Sequence, residues 1–192
     1  MTAESPQHFF WDSCVFYALL NDESYAYDVN SIRQFLEDAK EDGSCKIYTS
    51  GIVFTEVTPA RLQPSKYGSF EEFLDDFRGQ IVTLDADPII CSRAGDLRDI
   101  PYKKNGSTSR VLTTGDAIML ATALELKNTY GIEIDAFHTF DNGNGARGPE
   151  GKGVPLLTFE EWCEGLENND LAQEVIGMNR CMPIHPSPKM AV

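Results

Sequence analysis

TTGDAIMLATALEL, residues 113–126, decides the fold. Ala117, Ile118, Leu120, Ala121 and Leu124 put apolar side chains on most sides of a helix over 114–128. A helix that is apolar nearly all the way round belongs deep against a sheet rather than on a surface. At its start stands Asp116, in the first turn, where the positive end of the helix dipole favours an acid. Working outward, apolar runs too short for helices alternate with amphipathic stretches. Strands are expected over 8–11, 46–49, 80–84, 133–140 and 154–157. Between them, helices are expected over 13–20, 30–40 and 69–77, from Gly51 to a stop at Pro59, and over 88–97 with Pro88 in its first turn. Ser50 reads as the N-cap of the helix at Gly51, and Thr158 with Glu161 as a capping box on a helix reaching Trp162.

This β-then-α alternation predicts an α/β fold: a three-layer α/β/α sandwich around a central parallel sheet, doubly wound and Rossmann-like. The 192 residues, 42% of them hydrophobic, suffice for one core and are short for two. One domain over 1–178 is expected, followed by a loosely ordered, proline-rich tail over 179–192. Residues 99–110, DIPYKKNGSTSR, break every periodicity and read as a loop, as does the glycine-rich stretch 142–153. The N-terminus carries no basic segment followed by a long apolar run, and no stretch approaches a membrane span, so the reading is a cytoplasmic protein without membrane contact. Five cysteines, odd in number and without paired metal spacing, read as reduced thiols.

A net charge of -14 argues against nucleic-acid binding through a broad basic surface. It leaves room for a metal enzyme, because a bound cation reverses the sign of an acidic site. In a doubly wound sheet, ligands lie beyond the carboxyl ends of the strands. Asp12 and Asp141 each close a strand there. Glu56 falls on the stripe of Ile52, Val53, Val57 and Ala60, where a carboxylate needs a partner. Each acid also has an ordinary reading: Asp12 as a helix cap, Glu56 as one half of an ion pair, Asp116 as a dipole partner, Asp141 as a turn residue. Together they form a set of hard oxygen donors suited to Mg²⁺ or Mn²⁺ rather than zinc, since without a cation their repulsion would raise their pKa values. Asn142 and Asn144 could add an oxygen, although glycine-flanked asparagines more often shape turns.

FFWDS with Asp12, FTEV with Glu56, TTGDAIMLATAL with Asp116, HTFD with Asp141 and the closing VPLLTFEEW resemble the PIN-domain nucleases, which include the VapC-type toxins of toxin–antitoxin pairs. The resemblance spans roughly residues 8–166, and the helix motif at Asp116 is its most specific part. It implies four acidic metal ligands, Asp12, Glu56, Asp116 and Asp141, and endonucleolytic cleavage of RNA. It also raises an antitoxin protein and a homodimer as partners. The chain is longer and more acidic than a compact toxin of that family, with extra loops at 99–110 and 142–153.

Ser13 is a candidate to hold water or substrate through its hydroxyl, with helix capping as the competing role. Lys103, Lys104 and Arg110 form the best local basic patch for an RNA backbone, or else are solvated loop charge. A second reading is a catalytically weak PIN-like binding or regulatory protein. A third, an aspartyl-phosphate protein, lacks the DxD expected after the first strand.

Overall fold

The structure is a computed structural model that describes residues 5–41, 43–63, 67–143 and 152–186. Asn144 therefore lies outside the described residues. Five parallel strands, β1 (Gln7–Trp11), β2 (Cys45–Ser50), β3 (Ile81–Leu84), β4 (Ala136–His138) and β5 (Arg180–Cys181), form one sheet in the order β3-β2-β1-β4-β5. The chain runs outward from β1 through β2 to β3, then returns to place β4 on the other side of β1. That reversal opens a crevice at the carboxyl ends of β1 and β4.

Among the described residues, seven helices accompany the strands: α1 (Ser13–Leu20), α2 (Val29–Glu41), α3 (Val53–Glu56), α4 (Phe70–Asp76), α5 (Pro88–Asp99), α6 (Thr114–Tyr130) and α7 (Asp170–Ile176). Two contacts from β2 show that both faces of the sheet are covered. Cys45 Sγ donates to Phe35 O of α2 at 3.3 Å, while Thr122 Oγ1 of α6 donates to Ser50 Oγ at 2.9 Å. Cys45 and Ser50 are an odd number of residues apart, so they point to opposite faces of a strand. α6 is as deep as its sequence predicts: Ala117, Met119, Leu120 and Ala121 are fully buried. β1 is central, and Phe10 and Trp11 are fully buried in it.

Four local expectations are corrected. Ser50 does not cap a helix, because it still pairs with Leu84 in the sheet. The helix from Gly51 shrinks to the single turn α3; Thr58 is extended (φ -98°, ψ 148°), as the residue before Pro59 prefers, and Pro59 opens a separate 3-10 turn, Pro59–Arg61. Residues 154–157 form no strand. The fifth strand comes instead from the segment expected to be a loose tail: Phe137 N donates to Asn179 O at 2.8 Å and Thr139 N to Cys181 O at 3.0 Å. Residues 179–186 are thus part of the fold, and His185 N reaches back to Ser31 Oγ of α2 at 2.9 Å. Finally, Phe159–Trp162 is a 3-10 turn without a capping box, since Glu161 turns away to pair with Lys104.

The 99–110 segment is a loop, as expected, but a pinned one. Tyr102 bridges to Arg110, and Lys103 bridges to Cys163. α7 forms where the sequence reading placed no element.

Candidate active site

Asp12 is the first residue beyond β1, and its backbone N donates to His138 O of β4 at 3.1 Å. It caps α1, with Oδ1 accepting from Ser13 N at 2.7 Å. Oδ2 accepts from Thr139 Oγ1 at 2.7 Å and from the Cys14 thiol at 3.1 Å. The capping role and the site role therefore fall to the same carboxylate, which these donors hold in one orientation. Burial pushes the Asp12 pKa up; the bonds from Thr139, Cys14 and Ser13 oppose that rise, and the charge of Asp141 adds to it.

Asp116 sits in the first turn of α6, where Thr113 Oγ1 caps its backbone N at 3.2 Å and donates to Oδ2 at 2.6 Å. Its pKa stands well above the usual carboxylate range. Burial is the largest cause; the charges of Asp12, Asp141 and Glu56 add to it, against the single hydrogen bond from Thr113. Asp116 thus lies near enough to the other three acids to feel the charge of each.

Glu56 closes α3, whose backbone is steadied by Tyr17: its hydroxyl donates to Glu56 O. The expected stripe survives in part, with Val53 and Val57 buried and Ala60 exposed beyond the turn. Burial raises the Glu56 pKa and Asp12 raises it further, while a hydrogen bond from Ser13 and the charge of Arg61 lower it. No ion pair to Glu56 forms among the described residues. The close approach of its carboxylate depends on Gly115: a Cβ at that position would fall 2.1 Å from Oε1.

Asp141 lies just past β4. Its Oδ1 accepts from Gly143 N at 3.0 Å and its Oδ2 from Leu156 N at 3.1 Å. Gly153 comes up to the same space, since a Cβ there would lie 2.9 Å from Thr113 Cγ2 and 3.5 Å from Asp116 Oδ2. The structure thus brings Asp12, Glu56, Asp116, Asp141 and Ser13 together at the switch point of the sheet.

The basic patch is dispersed. Lys104 pairs with Glu161. Arg110 stacks over the Trp162 ring at 4.0 Å and donates to Gly153 O at 3.1 Å, so it supports the rim of the site rather than projecting from it. Lys103 is exposed.

Several contributors were invisible in the linear reading. Thr113, Thr139 and Cys14 orient the acids, Gly115 and Gly153 make room for them, and Arg61 lies close enough to Glu56 to act on it. Thr113 and Thr139 did carry a local signal, since each stands within three residues of a site aspartate.

The donors that face the space are carboxylates, the hard-oxygen chemistry of Mg²⁺ and Mn²⁺. Among the described residues, no group of three or more His, Cys, Asp or Glu side chains is placed so that it could hold a metal ion. Mg²⁺ does not require such a group, because it keeps several waters and is commonly held through one or two carboxylates. Also among the described residues, no helix is long and apolar enough to cross a membrane.

No family model and no curated protein matches the chain. Among solved structures, it is similar to VapBC2 from Rickettsia felis, bound to a DNA fragment from its promoter. Identity is 12%, the match covers 67% of this chain and 98% of the other, and the TM-score is 0.41. A likeness at that level assigns neither family nor activity.

Proposed function

We propose that this chain is a Mg²⁺- or Mn²⁺-dependent ribonuclease of the PIN type. One observation carries the reading: buried Asp12 and half-buried Glu56 and Asp116 lie near Asp141 with pKa values pushed up by desolvation and by neighbouring acids, an arrangement that a divalent cation would relieve. Asp12, Asp116 and Asp141 would hold the cation directly or through water, with Glu56 closing the site from α3. When bound, Mg²⁺ or Mn²⁺ supplies positive charge against the charge that develops on phosphate during hydrolysis.

The chain's own part is positioning. Thr139, Cys14 and Ser13 fix Asp12, Thr113 fixes Asp116, and the backbone of Gly143 and Leu156 fixes Asp141. Arg61 and Lys103 are the exposed cations offered to the RNA backbone, while Lys104 reaches it by exchanging an exposed ion pair of small worth. An antitoxin protein and a homodimer belong to the toxin form of this proposal. The test is cleavage of single-stranded RNA in Mn²⁺ by wild type and by Asp116→Asn; equal cleavage sinks the reading.

A second reading, a PIN-like binding or regulatory protein with weak catalysis, is favoured by the open arrangement of the acids. Calorimetry separates the two, since wild type without any Mn²⁺ or Mg²⁺ binding selects the second.

A further inference from the structure

We propose that Arg180, on the edge strand and remote in sequence, is the positioning residue for Asp141. The proposal rests on the nuclease reading for its functional consequence only. Arg180 has a side chain just 1% exposed, an unusual place for a guanidinium, and its donors are spent on backbone and on one acid. Nε donates to Leu156 O at 3.0 Å, Nη1 to Met178 O at 2.9 Å and to Val175 O, and Nη2 pairs with Glu160. The plane of the group also lies over the Phe159 ring, 5.2 Å from its centre. Arg180 therefore locks the 154–157 segment to the end of α7 and to the Phe159–Trp162 turn.

That segment holds Asp141 at two points. Leu157 N donates to Asp141 O at 3.0 Å, and Leu156 N donates to Asp141 Oδ2 at 3.1 Å. The carbonyl that accepts from Arg180 and the N–H of Leu157 belong to one peptide unit, and a hydrogen bond on one side of a peptide strengthens the bond on the other. Asp141 and Leu156 are separated in sequence by the glycine-rich stretch 142–153, whose composition is poorly suited to holding its own ends in register. Arg180 supplies that register from outside the stretch.

The test combines amide hydrogen exchange with Mn²⁺ titration of Arg180→Lys, in the wild-type and Asp141→Asn backgrounds. Lysine keeps the charge and can keep the pair with Glu160, but it loses the planar fork. Exchange at the Leu156 and Leu157 amides is expected to speed up about tenfold or more, with Phe10 in β1 unchanged. The Mn²⁺ dissociation constant is expected to rise about three- to tenfold in the wild-type background and not at all in Asp141→Asn, the coupling that distinguishes action through Asp141 from general loosening. Should the lysine variant not fold, Glu160→Gln loosens the same guanidinium and is expected to speed the same two amides a few-fold. Unchanged amides, or equal weakening of Mn²⁺ binding in both backgrounds, overturns the proposal. Faster amides in Arg180→Lys, together with a wild type that binds no Mn²⁺, uphold the clamp and sink the nuclease reading instead.

Discussion

Helix α6 carries two acids that end in opposite circumstances. Glu125, in its second half, is 7% exposed and is answered completely: Arg93 Nη1 donates to it at 2.6 Å and Thr129 Oγ1 at 2.7 Å, with Glu174 sharing the same arginine. Asp116, in the first turn, accepts from one threonine hydroxyl and feels the charge of three other carboxylates. An acid that only holds a fold together acquires a cation from the fold, because a buried unpaired charge is costly. An acid kept among other acids either takes up a proton or carries its charge at a cost that a cation from solution relieves. The contrast between these two residues of one helix is the physical core of the functional proposal, and it can be broken in several ways.

The largest effect should come from exchanging each acid for its amide. Asp116→Asn is expected to lower RNA cleavage on the order of 100-fold or more, the scale of losing a group that organises transition-state charge. In metal-free buffer at neutral pH it should also raise stability, by about 1 kcal/mol, because it removes a charge that its surroundings oppose. Glu125→Gln should do the reverse: cleavage stays within about twofold while stability falls by about 1–3 kcal/mol, as expected when a buried partnered charge is lost. Denaturant melts without metal and cleavage assays with Mn²⁺ read the two effects separately, and the same ordering for both residues would remove the distinction.

His138 sharpens the comparison, because it too is buried and, among the described residues, has no partner at Nδ1. Burial lowers its pKa to about 4. The folded state therefore keeps it neutral while the unfolded chain takes up a proton near the ordinary histidine value of about 6.5. Between those limits the unfolded state binds more protons, so stability falls as pH drops, by about 3 kcal/mol in all. Asp12, Glu56 and Asp116 act in the opposite sense. Their raised folded-state pKa values mean that the folded state binds more protons, so the metal-free protein regains stability as pH falls through those values. His138→Phe, which can preserve the stacking on Phe9 seen at 4.8 Å, should abolish the first trend and expose the second in stability curves from pH 7 to pH 4. A missing partner is thus not enough to mark function. His138 sits among Phe9 and Phe35, whereas the acids sit among one another.

Gly115 allows the crowding of Glu56 to be disturbed without touching an acid. In Gly115→Ala the new methyl would overlap Glu56 Oε1, the far end of a flexible side chain, so the carboxylate shifts and the helix does not. Alanine is also the better helix former by about 1 kcal/mol. Stability should therefore hold or rise while cleavage falls about tenfold. A fall in stability together with activity would mean that Glu56 is fixed more rigidly than its one-turn helix implies.

Four of the five strands, and the places of the acids at strand ends and in first turns, could be read from the chain because their causes are local. Phe9, Phe10 and Trp11 are apolar on successive residues because β1 is covered on both faces, and Asp12 must follow where the strand stops. α6 announces its depth in the same way. What escaped was decided by distant partners. Arg180 looks like surface charge in a proline-rich tail, yet it is buried because three carbonyls and Glu160 converge on it. Residues 154–157 read as a strand because they are apolar, but their hydrogen bonds go to Asp141 and Arg180 rather than to a ladder. Arg110 was read as a nucleic-acid contact, yet its guanidinium faces Trp162, which lies fifty-two residues on.

The smallest effects concern substrate contact, where the acidic exterior leaves few cations to lose. Arg61 is exposed on its 3-10 turn and close enough to Glu56 to lower its pKa, so a phosphate approaching the acids meets it first from that side. Arg61→Ala is expected to weaken RNA binding a few-fold and to flatten the dependence of log affinity on log salt by about one, the signature of a single phosphate contact. Lys103→Ala should do the same more weakly, since nothing ties Lys103 to the acids. Arg110→Ala should leave the salt slope alone and act through Gly153, lowering turnover rather than affinity. A salt slope that responds to Arg110 and ignores Arg61 would return the RNA path to the 99–110 loop and separate it from the side of the site where Glu56 stands.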